Sequence, residues 1–170
     1  MPTREEFIAE VDRLLEAQKT LAGTESIEWQ DGRTIGSKIV KMPIAVDGIQ
    51  FGTQLLVNAY PQEPGRFSIL VVHKIAVCRL DVTDDGEIHG NFQALPNENL
   101  PPLINGPHFH EWALNRRLIE GSNKLQKLPL ARPFYQTRNF NSALRWFCAE
   151  VKIELPFDLA LELPPREQLF

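Results

Sequence analysis

The chain has 170 residues, of which 43% are hydrophobic and 24% charged, and its formal net charge is −4. This length predicts a single domain, residues 1–170, with a core that needs no disulfides or structural metals, and the negative charge argues against a generally basic nucleic-acid-wrapping protein. Because no N-terminal apolar run resembles a signal peptide and no segment approaches the roughly 20 apolar residues of a membrane-spanning helix, we expect a cytoplasmic protein without a membrane partner.

The first predicted element is an amphipathic helix over residues 3–22. Thr3, followed three residues later by Glu6, forms a capping box at its start. Gly23 supplies a left-handed stop at its end. Apolar residues recur between these ends at helical spacing: Phe7, Val11, Leu14, Leu15 and Leu21. We expect this helix to pack on the rest of the domain and to carry no chemistry.

An antiparallel meander of about five strands is predicted over residues 26–82. Turn residues separate its apolar runs, and Asp47-Gly48 is the strongest hairpin signal among them. The run from Phe67 to Val72 is apolar on both faces, which indicates a central strand. The predicted strands cover residues 26–30, 34–46, 49–58, 66–72 and 75–82.

The second half of the chain is predicted to be mostly irregular until a final helix. A proline-rich loop with the His-x-His segment covers residues 84–112, and loops of this length are often functional. A short helix follows from Trp112 to Glu120. A C-terminal helix over residues 140–151 begins at an asparagine cap and has one apolar face. The predicted fold is therefore α+β, with an N-terminal and a C-terminal helix packed on the meander.

Candidate chemistry is concentrated in three pairs of polar residues with i, i+2 spacing. Side chains two apart in an extended strand emerge on the same side. Each pair also has a simple structural explanation, as an exposed sheet face, a solvated loop or two groups facing water. The pairs are Arg79 with Asp81, His89 with Asn91, and His108 with His110. The two cysteines, Cys78 and Cys148, form no CxxC pair and are expected to be buried, reduced thiols.

The order of these residues resembles that of an uncharacterised family of small prokaryotic proteins of unknown function. The likeness rests on Arg-x-Asp, His-x-Asn and Pro-His-x-His in this order, then a capped helix ending in Phe147-Cys148, and it covers about residues 50–153. The resemblance implies no established activity. It implies that six residues belong to one site: Arg79, Asp81, His89, Asn91, His108 and His110.

The favoured hypothesis is a metal-independent, histidine-based nuclease or phosphodiesterase that acts on RNA or a nucleotide, without a cofactor, in a toxin–antitoxin or phage-defence context. Histidine suits both proton abstraction and proton donation near neutral pH, and an arginine can stabilise negative charge on the phosphoryl oxygens. The expected catalytic residues are His89, His108, His110 and Asp81. The expected substrate-binding residues are Arg79, Asn91 and Trp112.

Two alternatives remain open from the sequence. In one, the three histidines bind a divalent metal ion, with Asp81 as a further ligand or as a group that orients them. In the other, the protein is a non-catalytic binding or inhibitory module with a protein partner. Three tryptophans, a residue type enriched at interface hot spots, are then the candidate contacts: Trp29, Trp112 and Trp146.

Overall fold

Three α-helices and eleven β-strands make up the computed structural model, which describes residues 2–122 and 127–166. The helices are α1 (Arg4–Glu16), α2 (Trp112–Asn115) and α3 (Phe140–Glu150). The strands are β1 (Lys19–Leu21), β2 (Gln30–Asp31), β3 (Lys38–Val46), β4 (Ile49–Ala59), β5 (Phe67–His73), β6 (Ile75–Val82), β7 (Ile88–Gly90), β8 (Leu103–Asn105), β9 (His108–His110), β10 (Arg132–Pro133) and β11 (Ile153–Glu154). The α+β class predicted from the sequence is confirmed.

Nine of these strands form one sheet in the order β10-β9-β6-β5-β4-β3-β1-β11, with β2 pairing on β3. All neighbours are antiparallel except β1 and β11. The four long strands β3 to β6 match the predicted meander, but the prediction of about five strands is wrong. The added strands have only two or three residues, too few to show alternation in the sequence. Strands β7 and β8 form a separate hairpin within the predicted proline-rich loop.

Helices α1 and α3 both cover the same face of the main sheet. The ring of Phe140 in α3 meets Phe67 of β5 edge-on at 5.1 Å, and the ring of Phe7 in α1 lies 6.1 Å from His73 of β5. This face is apolar and buried, and both cysteines lie in it as free thiols, as predicted. No described helix is long and apolar enough to cross a membrane. Alternation along the strands therefore places a second set of side chains on the opposite face, away from the helices.

Helix α1 begins as predicted but ends six residues before its expected end at residue 22. The capping box is present, with the Glu6 amide donating to Thr3 Oγ1 at 3.2 Å and the Thr3 amide donating to Glu6 Oε2 at 2.7 Å. At the other end, Ala17 is extended, and the fully buried amino group of Lys19 donates to the carbonyls of Leu14, Leu15 and Ala17. Strand β1 then pairs with β3 and β11. The pairing of β1 with two other strands thus outweighs the helical spacing that predicted Leu21 to lie in α1.

The buried Lys19 predicts a pH-dependent stability. Burial, assisted by the charge of Lys152 and opposed by Cys78, lowers the pKa of Lys19 to about 8. Between about pH 8 and 10 the unfolded chain, with an ordinary lysine pKa, binds more protons than the folded one. The free energy of unfolding should therefore rise in this window, by up to about 1.4 kcal/mol per pH unit. Urea unfolding of Lys19→Met should lack this rise. The exposed Lys41→Met is the matched control and should keep it; equal slopes in the two variants contradict the assignment.

Candidate active site

Strands β6 and β9 bring the predicted arginine–aspartate and histidine pairs together across the ladder. Arg79 lies opposite His110, and Asp81 lies opposite His108. Strand β5 adds Ser68 opposite Asp81. Directly opposed residues on one face of an antiparallel pair have Cβ atoms about 5 Å apart. The i, i+2 spacing of each pair and the register together place all five side chains on the face away from the helices.

The Asp81 carboxylate is the centre of this group. Its Oδ2 atom lies 2.7 Å from Arg79 Nε, 3.2 Å from His110 Nε2 and 3.4 Å from His108 Nε2. Its Oδ1 atom accepts a 2.6 Å hydrogen bond from Ser68 Oγ. Burial raises the pKa of Asp81, but His108 and the charge of Arg79 outweigh it and hold this pKa well below its usual range. Asp81 is therefore ionised at neutral pH.

The β7–β8 hairpin places the third histidine against the other two. The His89 ring stacks on His108 with 4.7 Å between centroids and lies edge-on to His110 at 4.9 Å. The rings of His108 and His110 are also 4.9 Å apart. One ring nitrogen from each histidine lies within 4.8 Å of the others. We call these three residues the histidine cluster.

Each histidine of the cluster has one ring nitrogen in a hydrogen bond, either with a backbone carbonyl or with Arg79. His108 Nδ1 donates to the Gly106 carbonyl at 2.8 Å, and His89 Nε2 donates to the Pro129 carbonyl at 3.0 Å. Because a guanidinium can only donate, His110 Nε2 accepts from Arg79 Nη2 at 2.9 Å. His110 Nδ1 is buried and has no partner in the part of the chain that the structure describes.

Burial lowers the pKa values of two histidines of the cluster, His110 and His89. It lowers the pKa of His110 to about 4, with the charge of Arg79 in the same direction and Asp81 opposing. Burial also lowers the pKa of His89, and the neighbouring His108 adds to the effect. At neutral pH these two imidazoles are therefore uncharged, and each keeps one nitrogen lone pair.

A polar pocket of about 380 Å³ opens beside the cluster. It contains two arginines, two carboxylates and two of the three histidines, whereas His110 is fully buried behind it. The lining residues are Asn58, Tyr60, Arg66, Ser68, Leu70, Arg79, Asp81, Thr83, Glu87, Ile88, His89 and His108. Its volume falls within the range of small-molecule sites in proteins.

Two residues expected to bind substrate lie elsewhere. Asn91 does not line the pocket: its Nδ2 donates to the carbonyls of Pro101 and Ala131, its Oδ1 accepts from the Ala131 amide, and its side chain also contacts His89. Trp112 is buried on the helix side of the sheet, edge-on to Phe7, with its Nε1 donating to Asp12. Five of the seven candidates thus converge, Asn91 supports a neighbouring segment, and Trp112 is part of the core.

Several residues of the site were not predicted from the sequence. Ser68 could have been found, because the hairpin between β5 and β6 sets it opposite Asp81. Tyr60 and Arg66 flank the turn before β5, and the Arg66 guanidinium lies 4.6 Å from the centre of the Tyr60 ring. Nothing in the sequence predicts that the backbone carbonyls of Gly106 and Pro129 accept hydrogen bonds from His108 and His89.

Comparisons with protein-family models, curated proteins and solved structures found no match to this chain. The resemblance to an uncharacterised prokaryotic family therefore stays a prediction.

Proposed function

We propose that this protein hydrolyses a phosphodiester bond in RNA or a nucleotide, in the pocket beside the histidine cluster. The observation that carries the proposal is the convergence of Arg79, Asp81, His89 and His108 on one polar pocket. A cation for the phosphate, a fixed carboxylate and an imidazole that can accept a proton are the groups that such a reaction uses.

The two arginines of the pocket are suited to hold the phosphate. Arg79 is 28% exposed, and its ion pair with Asp81 fixes its direction. Arg66 is held by Glu63 at 2.6 Å and by Glu87 at 3.6 Å. Guanidinium groups bind phosphate through paired N–H donors, and fixed donors stabilise the charge that develops on its oxygens.

The pocket also has surface suited to a nucleobase. Tyr60, which lies under the Arg66 guanidinium, and the exposed Ile88 border the same cavity as the histidines. Bases of single-stranded RNA stack on aromatic rings and guanidinium planes. The volume of about 380 Å³ fits one nucleotide at a time rather than a duplex.

The compact cluster favours water as the nucleophile over the metal-independent two-histidine mechanism expected from the sequence. An acid and a base on opposite sides of a phosphorus atom, each within hydrogen-bond reach of an oxygen, need nitrogens more than about 6 Å apart. The cluster nitrogens lie within 4.8 Å of one another, and the rings of His89 and His108 stack face to face. Such rings can act together on one water molecule beside Asp81.

The test uses single-stranded RNA and bis(p-nitrophenyl) phosphate, with and without EDTA. We expect the wild type to cleave at least one of them and His108→Ala/His110→Ala to lose about 100-fold or more in rate. His89→Ala, a half-buried hairpin position, should lose a similar factor while remaining folded by circular dichroism. The exposed Asn97→Ala is the control and should match the wild type. Equal, negligible turnover by wild type and variants overturns the proposal.

A second candidate function, binding or inhibition of a protein partner, is favoured by one observation. Large apolar side chains of the segment 88–103 are exposed: Ile88, Phe92, Leu95 and Leu103. Exposed apolar groups that lie close together often mark interaction sites. The tryptophans no longer support this candidate, since Trp112 is buried and Trp29 and Trp146 pack against the core. A Phe92→Ser/Leu103→Ser variant with full hydrolytic activity but reduced binding to a defined partner would support it.

A further inference from the structure

We infer that His89, His108 and His110, together with Asp81, bind one divalent transition-metal ion. A role of this ion in hydrolysis rests on the proposed function. Binding of the ion to the protein does not, and it can be tested separately. Imidazole nitrogens with one carboxylate oxygen form a ligand set typical of zinc and related first-row ions.

The hydrogen bonds of the rings leave suitable donors. His89 Nε2 and His108 Nδ1 donate to backbone carbonyls, so His89 Nδ1 and His108 Nε2 are the nitrogens that remain to bind a metal ion. A carbonyl or carboxylate bonded to the other ring nitrogen is the usual arrangement for histidine ligands of metals, because it fixes the tautomer and the ring orientation. Two of the three histidines thus already have the arrangement of ligands.

The distances around Asp81 match the edges of a coordination tetrahedron. With metal–ligand bonds of about 2.0–2.1 Å, neighbouring ligand atoms are separated by about 3.3 Å. Asp81 Oδ2 lies 3.2 Å from His110 Nε2 and 3.4 Å from His108 Nε2. One ring nitrogen of His89 lies within 4.8 Å of a nitrogen of each of the other two histidines, and His89 belongs to the short β7–β8 hairpin that lines the pocket. A small movement of that hairpin would bring it into the same shell.

The charges around the cluster call for a cation. The ionised Asp81 Oδ2 and the acceptor nitrogen His110 Nε2 lie 3.2 Å apart, which is unfavourable unless a positive charge lies close to both. Arg79 partly supplies such a charge, since its guanidinium contacts both Asp81 and His110. A metal ion bound by the cluster would take over these two contacts and leave the partly exposed arginine to face the pocket.

The cluster also leaves room for a reacting molecule. His89, His108 and Asp81 line the pocket, so an ion held there is reached from solvent on one side. A divalent ion in such a site lowers the pKa of a bound water molecule to near neutrality. The side chains of this protein would then orient the phosphate through Arg79 and Arg66.

The experiment is a calorimetric titration of the EDTA-dialysed full chain with Zn²⁺. We expect one ion per chain, with micromolar or tighter affinity, and at least about 100-fold weaker binding by His89→Ala. The remaining histidine, His73, lies on the helix side of the sheet, and His73→Gln is the matched control that should keep wild-type affinity. No zinc binding by the wild type, or equal losses in His89→Ala and His73→Gln, overturns the inference.

Activity measurements separate this inference from the proposed function. Stoichiometric zinc binding without cleavage of any phosphodiester supports the metal site and overturns the function. Cleavage that EDTA leaves unchanged, together with no zinc binding in the titration, supports the function and overturns the metal site. Far-UV circular dichroism of each variant before titration ensures that folded protein is compared.

Discussion

Arg79→Met should lower the rate of phosphodiester hydrolysis by about 10²–10³-fold and the free energy of unfolding by about 3 kcal/mol. The loss of rate follows because Arg79 lines the pocket and contacts the histidine cluster through His110. The loss of stability follows because the Asp81 carboxylate, 14% exposed, would lose the guanidinium that lies 2.7 Å from its Oδ2 atom. Steady-state kinetics and urea unfolding measure the two effects on the same samples.

Two further variants identify the cause of each loss. Arg79→Lys restores the positive charge and should recover most of the stability but little of the rate, because an ammonium group cannot donate the paired hydrogen bonds of a guanidinium. Asp81→Asn added to Arg79→Met should restore part of the stability, since it removes the uncompensated charge. A double variant less stable than Arg79→Met alone would contradict this account. So would full activity in Arg79→Met.

Zinc binding gives a third measurement on Arg79→Met. The inferred metal takes over the contacts of the guanidinium with Asp81 and His110, so the variant should keep or gain zinc affinity while it loses activity. Zinc should also restore stability to the variant, because ligand binding to the folded state alone stabilises it. Loss of zinc affinity in Arg79→Met would contradict this expectation. It would show that the arginine holds the metal ligands in position rather than standing where the metal ion would bind.

The fold could be predicted from the sequence wherever local signals agree. Asp47-Gly48 between two apolar runs marks the hairpin from β3 to β4, and it is found there with Asp47 and Gly48 both at positive φ. The end of α1 could not be predicted, because the burial of Lys19 and the pairing of β1 depend on distant strands. Such tertiary contacts outweigh a helical spacing of apolar residues.

The site could be predicted only where local strand alternation determines which side chains share a face. The i, i+2 spacing places Arg79 with Asp81, and His108 with His110, on common faces of their strands. Their meeting depends on the pairing of β6 with β9 across the long intervening loop, and a shift of one residue would turn one pair to the helix side. That register has no local signal. Only Glu111 separates Trp112 from the His-x-His segment, but α2 begins at Trp112 and directs its side chain into the core.

Asn91 connects the sheet site to the mostly buried segment 128–131, which leads into β10. It bonds both backbone groups of Ala131, and Asn115 does the same for Leu130. The carbonyl of the preceding Pro129 accepts the hydrogen bond of His89 Nε2. The two buried asparagines therefore fix the carbonyl that orients one ring of the histidine cluster, which makes Asn91 a positioning residue.

Asn91→Ala should therefore lower the free energy of unfolding by about 3 kcal/mol and weaken zinc binding about 10-fold in the protein that remains folded. The stability falls because the carbonyls of Pro101 and Ala131 and the Ala131 amide lose buried partners. The affinity falls because the Pro129 carbonyl no longer holds His89. Calorimetric titration at low temperature, where circular dichroism shows full folding, measures the second effect.

The zinc measurement separates positioning from the substrate contact that the sequence suggests for Asn91. A residue that only binds substrate would raise KM and leave zinc affinity unchanged, whereas a residue that holds the His89 anchor must change zinc affinity without any substrate present. Asn141→Ala, at an exposed position of α3, removes an asparagine far from this segment and should change neither quantity. Wild-type zinc affinity in Asn91→Ala, with a raised KM, would show that Asn91 reaches the substrate after all.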